Sequence, residues 1–138
     1  MSKVANQWIQ VLKKEGYEHT CRNKEEFRKL KKLPRVWKRI LRKVNLKPQS
    51  KCFEVGCGGG IHLVRLALNG FLVDGIDCSP DVIKCAQNFI KQVENFDNRV
   101  SQICIYNDDF LSKKCSSLIS KLSNKYDLVF DFGWLSIF

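Results

Sequence analysis

The stretch from Phe53 to Leu63, FEVGCGGGIHL, sets four glycines behind a short apolar run and carries one carboxylate, Glu54. A glycine-rich turn between a strand and a helix brings backbone close to a ligand, and the helix start usually favours an anion. Glu54 opposes that preference, because a pyrophosphate beside it would be repelled. A ligand with a cationic ammonium at that end gains a charge-assisted hydrogen bond instead.

Reading outward from the turn, KCFEV (51–55) has the character of a first strand, and GGIHLVRLALNG (59–70) that of a helix closed by Asn69-Gly70. FLVDGID (71–77) is the second strand. Ser79 as N-cap and Pro80 at the first helical position open a helix over PDVIKCAQNFIKQVENF (80–96). SQICIY (101–106) is the third strand, LSKKCSSLISKLSN (111–124) a polar-faced helix, and YDLVF (126–130) the fourth strand. Strands alternating with helices over short connections predict an α/β fold: a Rossmann-like, doubly wound, mostly parallel sheet of strands one to four. The chain stops on an apolar tail just after the fourth strand, so the expectation is an incomplete sheet in a fragment of a longer protein.

Upstream, residues 1–50 read as a basic helical arm and residues 51–138 as the nucleotide-binding domain. Val4, Trp8, Ile9 and Leu12 recur at helical spacing. Phe27, Leu30 and Leu33 form a second stripe, and Pro34 opens a third helix with Val36, Ile40 and Val44 on one face. The arm holds 15 Lys+Arg and 4 Asp+Glu, whereas the remainder holds 9 and 10, so the net charge of +10 belongs to the arm. Contact with nucleic acid is open through this arm, but a solvated face on helices covering the ligand site is the favoured reading. Its charges are interleaved with no repeated aromatic platform, and Trp8 and Trp37 read as helix anchors.

Composition narrows the classes further. No run approaches the roughly 18 apolar residues of a membrane span, and the N-terminus lacks the apolar core of a signal peptide, so no membrane role and a cytoplasmic location are expected. Seven cysteines without a CxxC pair, and two isolated histidines, predict reduced buried thiols and no metal site. Cys57 and His62 sit in the glycine turn and the first helical turn, where structural roles outweigh chemical ones.

Acids stand where the first three strands end: Glu54, Asp77 and Asp109. In doubly wound sheets this is the ligand-binding end. A dinucleotide fingerprint needs a third glycine at an offset that Gly56, Gly58 and Gly60 do not supply. Asp77, with two acceptor oxygens, suits a ribose diol. S-adenosylmethionine offers an ammonium, a sulfonium, a ribose diol and an adenine amine, and it meets these requirements together.

FEVGCGGGIHLVRLALNGFLVDGIDCSPDVIKCA (53–86) closely resembles the nucleotide-binding half of class I S-adenosylmethionine-dependent methyltransferases, the likeness extending over about residues 35–138. Glu54, Gly56, Gly58 and Gly60 supply the family's acid-x-G-x-G-x-G motif, with Cys57 inside it. The resemblance implies that Asp77 binds the ribose hydroxyls, that Cys78 flanks the adenine and that Ile83 starts the supporting helix. It implies Asp109 for the adenine amine, with Phe110 beside the ring and Asp108 as the alternative. In YDLVFDFGWLSIF (126–138), Asp131, Phe132 and Gly133 stand at the end of the fourth strand, which the resemblance implies lies next to the transferable methyl. This is not the [DN]-P-P-[YFW] of enzymes acting on DNA bases or protein glutamine, and it is closer to the D-x-G pattern of small-molecule, thiopurine-type enzymes.

The implied reaction is in-line displacement of the sulfonium methyl onto a small-molecule acceptor that the sequence does not identify. Asp131 is the candidate catalytic group, either holding the donor's amine or taking a substrate proton. Two other classes stay open: a NAD-dependent oxidoreductase, and a catalytically silent or RNA-associated cofactor-binding module. Oligomeric state is not legible.

Overall fold

The computed structural model describes residues 18–109, 120, 122 and 125–132. The expected helix over residues 2–14, Phe110, and most of the helix expected over 111–124 lie outside the described residues.

Two short helices come first, α1 (Lys24–Lys31) and α2 (Arg35–Val44). Asn23 caps α1 by accepting from the Glu26 N–H at 2.9 Å. Pro34 is the N-cap of α2 rather than a member of its first turn. Asn45, left-handed at φ 54°, stops α2, and the next N–H, that of Leu46, returns to the Leu41 carbonyl.

The α/β part then runs β1 (Lys51–Val55), α3 (Ile61–Leu68), β2 (Leu72–Asp77), α4 (Pro80–Glu94), a 3₁₀ turn (Asn98–Gln102), β3 (Cys104–Asn107) and β4 (Leu128–Phe130). All pairings are parallel, in the order β3-β2-β1-β4. The chain steps from β1 to β2 to β3 in one direction, then crosses back to place β4 on the other side of β1. That reversal puts the switch point between β1 and β4, and the crevice there opens at their carboxyl ends.

Boundaries differ from expectation by local hydrogen bonding. Phe71 leaves β2 because its N–H closes α3 onto the Leu66 carbonyl at 3.1 Å. Ser101 and Gln102 leave the third strand because the Asp97 carboxylate accepts from the Arg99 N–H at 3.0 Å and Ser101 Oγ donates to the Asn98 carbonyl. These contacts favour a 3₁₀ turn over extension.

The pleat divides the sheet into two faces. Cys52 and Val73 join Leu63, Leu66, Phe89, Val93 and Trp37 in the main core, under α2, α3 and α4. Phe53, Val55 and Ile76 point the other way, toward Leu122 and Tyr126. Trp37 and Leu63 have no exposed surface, so each contributes about 1.5–3 kcal/mol of burial. Through Trp37 the basic arm shares its core with the sheet.

Candidate functional site

The glycine turn runs directly from β1 into α3. Gly56, Gly58 and Gly60 take left-handed φ angles of 67°, 53° and 82°. At Gly60 a side chain is disfavoured by that φ and crowded by the Ala86 methyl of α4, 3.3 Å from where a Cβ would stand. The turn is tied to β2 by the Gly56 and Cys57 N–H groups, which donate to the Ile76 carbonyl at 2.8 and 3.0 Å.

Asp77, at the end of β2, completes the clamp. One carboxylate oxygen accepts from the Gly58 N–H and the other from the Ser79 N–H, both at 3.0 Å. A carboxylate has about four lone-pair sites, so acceptor capacity is left over for a ligand hydroxyl. Burial raises the Asp77 pKa, while amides from Ser79, Gly58 and Cys78 act in the opposite sense.

Glu54 is only 2% exposed, and among the described residues its Oε1 has no hydrogen-bond partner. Burial pushes its pKa well above the usual carboxylate range, and the Asp77 and Asp131 charges push further the same way. A buried acid with an unmatched oxygen suits a cation carrying hydrogen-bond donors better than an anion.

On β1's other side, Glu54 stands in register with Phe130 of β4, and Asp131 follows in sequence. Phe130 meets the edge of Trp37 at a ring separation of 4.8 Å, and Phe132 stacks on His62 at 4.3 Å. His62 Nδ1 accepts from Trp37 Nε1 at 3.1 Å, which leaves the proton of the neutral ring on Nε2. Burial, with the Arg65 and His19 charges, lowers the His62 pKa to about 4. The ring is therefore an uncharged donor across the neutral range.

The structure brings Glu54, Gly56, Cys57, Gly58, Gly60, Asp77, Cys78 and Asp131 to the carboxyl ends of β1, β2 and β4. Asp108 joins them through its N–H, which donates to the Asp77 carbonyl at 3.1 Å, and its half-buried carboxylate accepts from the Asp109 N–H at 2.8 Å. Asp109 is exposed. Ile83 is buried in α4 behind the turn. Phe132 is 44% exposed, against His62, and Phe110 lies outside the described residues. The buried Cys57 thiol has its pKa pushed well up, first by burial and then by the Asp77 and Glu54 charges, so it packs rather than reacts.

Two features of the site carry little signal in the sequence. Gly75 in β2 lies under the turn: a Cβ there would come within 2.8 Å of Cys57 Cβ and 2.9 Å of Leu63 Cδ1. Its signal was a lone glycine inside a strand, which marks a close approach. The Trp37–His62 hydrogen bond joins positions 25 apart, which no sequence period pairs.

Comparison with known proteins sets this geometry in a family. Among curated proteins no sequence matches. Among solved structures, one describing the conversion of a disulfide bond into a thioacetal group during echinomycin biosynthesis is 27% identical, covering 72% of this chain and 36% of that one, at TM-score 0.51. A candidate sarcosine dimethylglycine methyltransferase from Galdieria sulphuraria is 20% identical, covering 70% and 33%, also at TM-score 0.51. The chain thus spans about a third of the length of these structures and shares their fold. The family model described as tellurite resistance protein TehB matches residues 19–129, from the start of the described arm into β4, and the chain belongs to the TehB family.

Proposed function

We propose that this chain binds S-adenosylmethionine at the β1–β4 switch point and serves transfer of its methyl group to a small-molecule acceptor. The single observation that carries this reading is Glu54: a buried carboxylate with an unpartnered oxygen beside a glycine turn. Once ionised, that carboxylate repels a phosphate group and holds an ammonium. Membership of the TehB family and the methyltransferase fold support the same reading.

Each residue then has a task. Glu54 would hold the ligand's amino end, and the amide-lined turn through Gly58 and Gly60 lies close against it. Asp77, prepositioned by Gly58 and Ser79, would accept the ribose hydroxyls, with Cys78 and Ile83 beside the adenine. Asp108 or Asp109 would take the adenine amine, and Phe110 is assigned to the ring by resemblance alone. S-adenosylmethionine supplies an already activated methyl, so the protein's work is orientation and exclusion of water. Asp131 and Phe132 would border the acceptor, together with the His62 Nε2–H donor. Asp131 is the candidate proton acceptor. The family's printed description makes tellurite the first acceptor to try. The free thiols among the described cysteines support a reducing, cytoplasmic setting. No described helix is long and apolar enough to cross a membrane.

Calorimetric titration with S-adenosylhomocysteine and, separately, with NAD tests the proposal. Binding of the first and not the second is expected; NAD binding alone would sink it. Labelled methyl transfer to tellurite and to small thiols then addresses the acceptor.

A further inference from the structure

We infer that the outer face of α2 is a docking surface for the phosphate backbone of a nucleic acid, a role separate from the cofactor site. Between Glu26 and Glu54 the sequence holds eleven lysines and arginines and no acid. All eleven are exposed, and among the described residues only Lys29 forms an ion pair, with Glu25.

Folding turns that composition into a stripe. Arg35, Lys38, Arg39, Arg42 and Lys43 fall at i, i+3, i+4, i+7 and i+8, which places them on one side of α2. Trp37 faces the opposite side and is fully buried. Five cations therefore line about 12 Å of helix, a density of charge that suits an anionic polymer with a phosphate at every residue. Stacked like charges repel one another, so the stripe costs stability that a solvated surface would avoid by mixing signs. Helix α4 does mix them, exposing Lys84 and Lys91 with Asp81 on the same chain.

The choice of partner follows from what the apolar face is doing. A helix that lies on a lipid surface sinks its apolar face into the membrane. In α2 most of that face is already spent: Trp37 is in the core, Ile40 and Leu41 pack against it, and Val36 and Val44 stay about half exposed. Two half-exposed valines are too little apolar surface to seat a helix in lipid, whereas phosphate contacts need only the cations. With Trp37 inside, the described arm offers no stacking platform, so binding is expected to be indifferent to base sequence.

Fluorescence anisotropy of a labelled poly-uridylate strand, with the 138-residue chain and no cofactor, tests this. Five phosphate contacts give a slope of log K on log salt of about −3.5, or roughly a hundredfold loss between ~50 and ~200 mM salt. Arg39→Glu/Arg42→Glu should lower affinity at least tenfold and flatten the slope by about 1.4. Lys84→Glu/Lys91→Glu makes the same change of net charge on α4 and should stay within about twofold. Circular dichroism checks that both pairs fold, and Arg39→Gln/Arg42→Gln replaces the reversal pair if it does not. Equal losses from the α2 and α4 pairs, a salt-independent signal, or binding to anionic phospholipid vesicles without binding to the strand would each overturn the inference.

Discussion

Trp37 Nε1 donates to His62 Nδ1 at 3.1 Å, joining the basic arm to the first turn of α3 beside the glycine loop. The bond fixes the tautomer of His62 and aims its remaining N–H away from Trp37. It also ties the arm to the helix that follows the glycine turn. Replacing Trp37 by Phe keeps most of the apolar volume but leaves the imidazole acceptor unpaired. The expected cost is about 1–3 kcal/mol, read from urea unfolding. A Trp37→Phe variant as stable as the parent would show that the bond contributes nothing.

The same pair sets a pH dependence. His62 titrates near 4 when folded, against 6.5 for an unperturbed ring, so folding favours the neutral form. Its contribution is complete above pH 6.5 and is lost as pH falls from there toward about 4. His19 is shifted in the same direction by burial and by Arg65, and adds to the slope. His62→Phe should flatten the melting-temperature profile across that window while His19 keeps part of it. An unchanged profile would place the titration elsewhere.

Gly75→Ala should fail for a reason visible only in three dimensions. Its methyl would meet the side chains of Cys57 and Leu63 inside 3.0 Å, both held in the core. Overpacking of this kind costs about 1–3 kcal/mol, and relief requires the glycine turn to move. Stability and S-adenosylhomocysteine affinity should therefore fall together. Gly70→Ala, at φ 92° with nothing within 4 Å, should cost stability and leave affinity alone.

Much of this was legible in the sequence because it is local. Lys51–Val55 was read to the residue, since an apolar run ending at a glycine turn has clear edges. Ser79 and Pro80 announced α4 through capping chemistry. Glu54 stood out because its charge is the wrong sign for the phosphate cradle that the glycines suggest. The third strand starts later than its hydropathy suggests, because Asp97 and Ser101 spend hydrogen bonds on a 3₁₀ turn, a competition that hydropathy does not register. Contacts across the fold, such as the amides that clamp Asp77 and the ring stack of His62 on Phe132, depend on which strands become neighbours. The order β3-β2-β1-β4 decides that, and no spacing in the chain encodes it directly.

Asp77→Asn tests whether the clamp serves the fold or the ligand. The wild-type carboxylate presents an acceptor to each of two N–H groups, from Gly58 and Ser79. An amide can present only one, so its NH₂ must face the other donor. Leaving that N–H unpaired costs about 1–3 kcal/mol, offset in part by relief of a carboxylate whose pKa burial has raised. Hydrogen exchange should quicken at Gly58 or Ser79, with little change in the core around Phe89.

Glu54→Gln separates stability from binding. Burial and the neighbouring Asp77 and Asp131 raise the Glu54 pKa, so the folded state favours the protonated acid. Its penalty on stability is absent below the unfolded value of 4.5 and grows as pH rises above it. Gln matches the shape of the neutral acid, so the ligand-free variant should melt at or above the wild type at neutral pH. A cationic amino end needs the carboxylate, however, and loss of a charge-assisted hydrogen bond worth about 1.5–3 kcal/mol should weaken S-adenosylhomocysteine binding by ~10- to 100-fold. Wild-type affinity should rise with pH as Glu54 gives up its proton to make the contact, and the Gln variant should lack that dependence. Calorimetry in buffers of different ionisation enthalpy reads the released proton directly. If Glu54→Gln bound as tightly as wild type, with the same pH profile, the ammonium would have to sit elsewhere, and the assignment of Glu54 would fall.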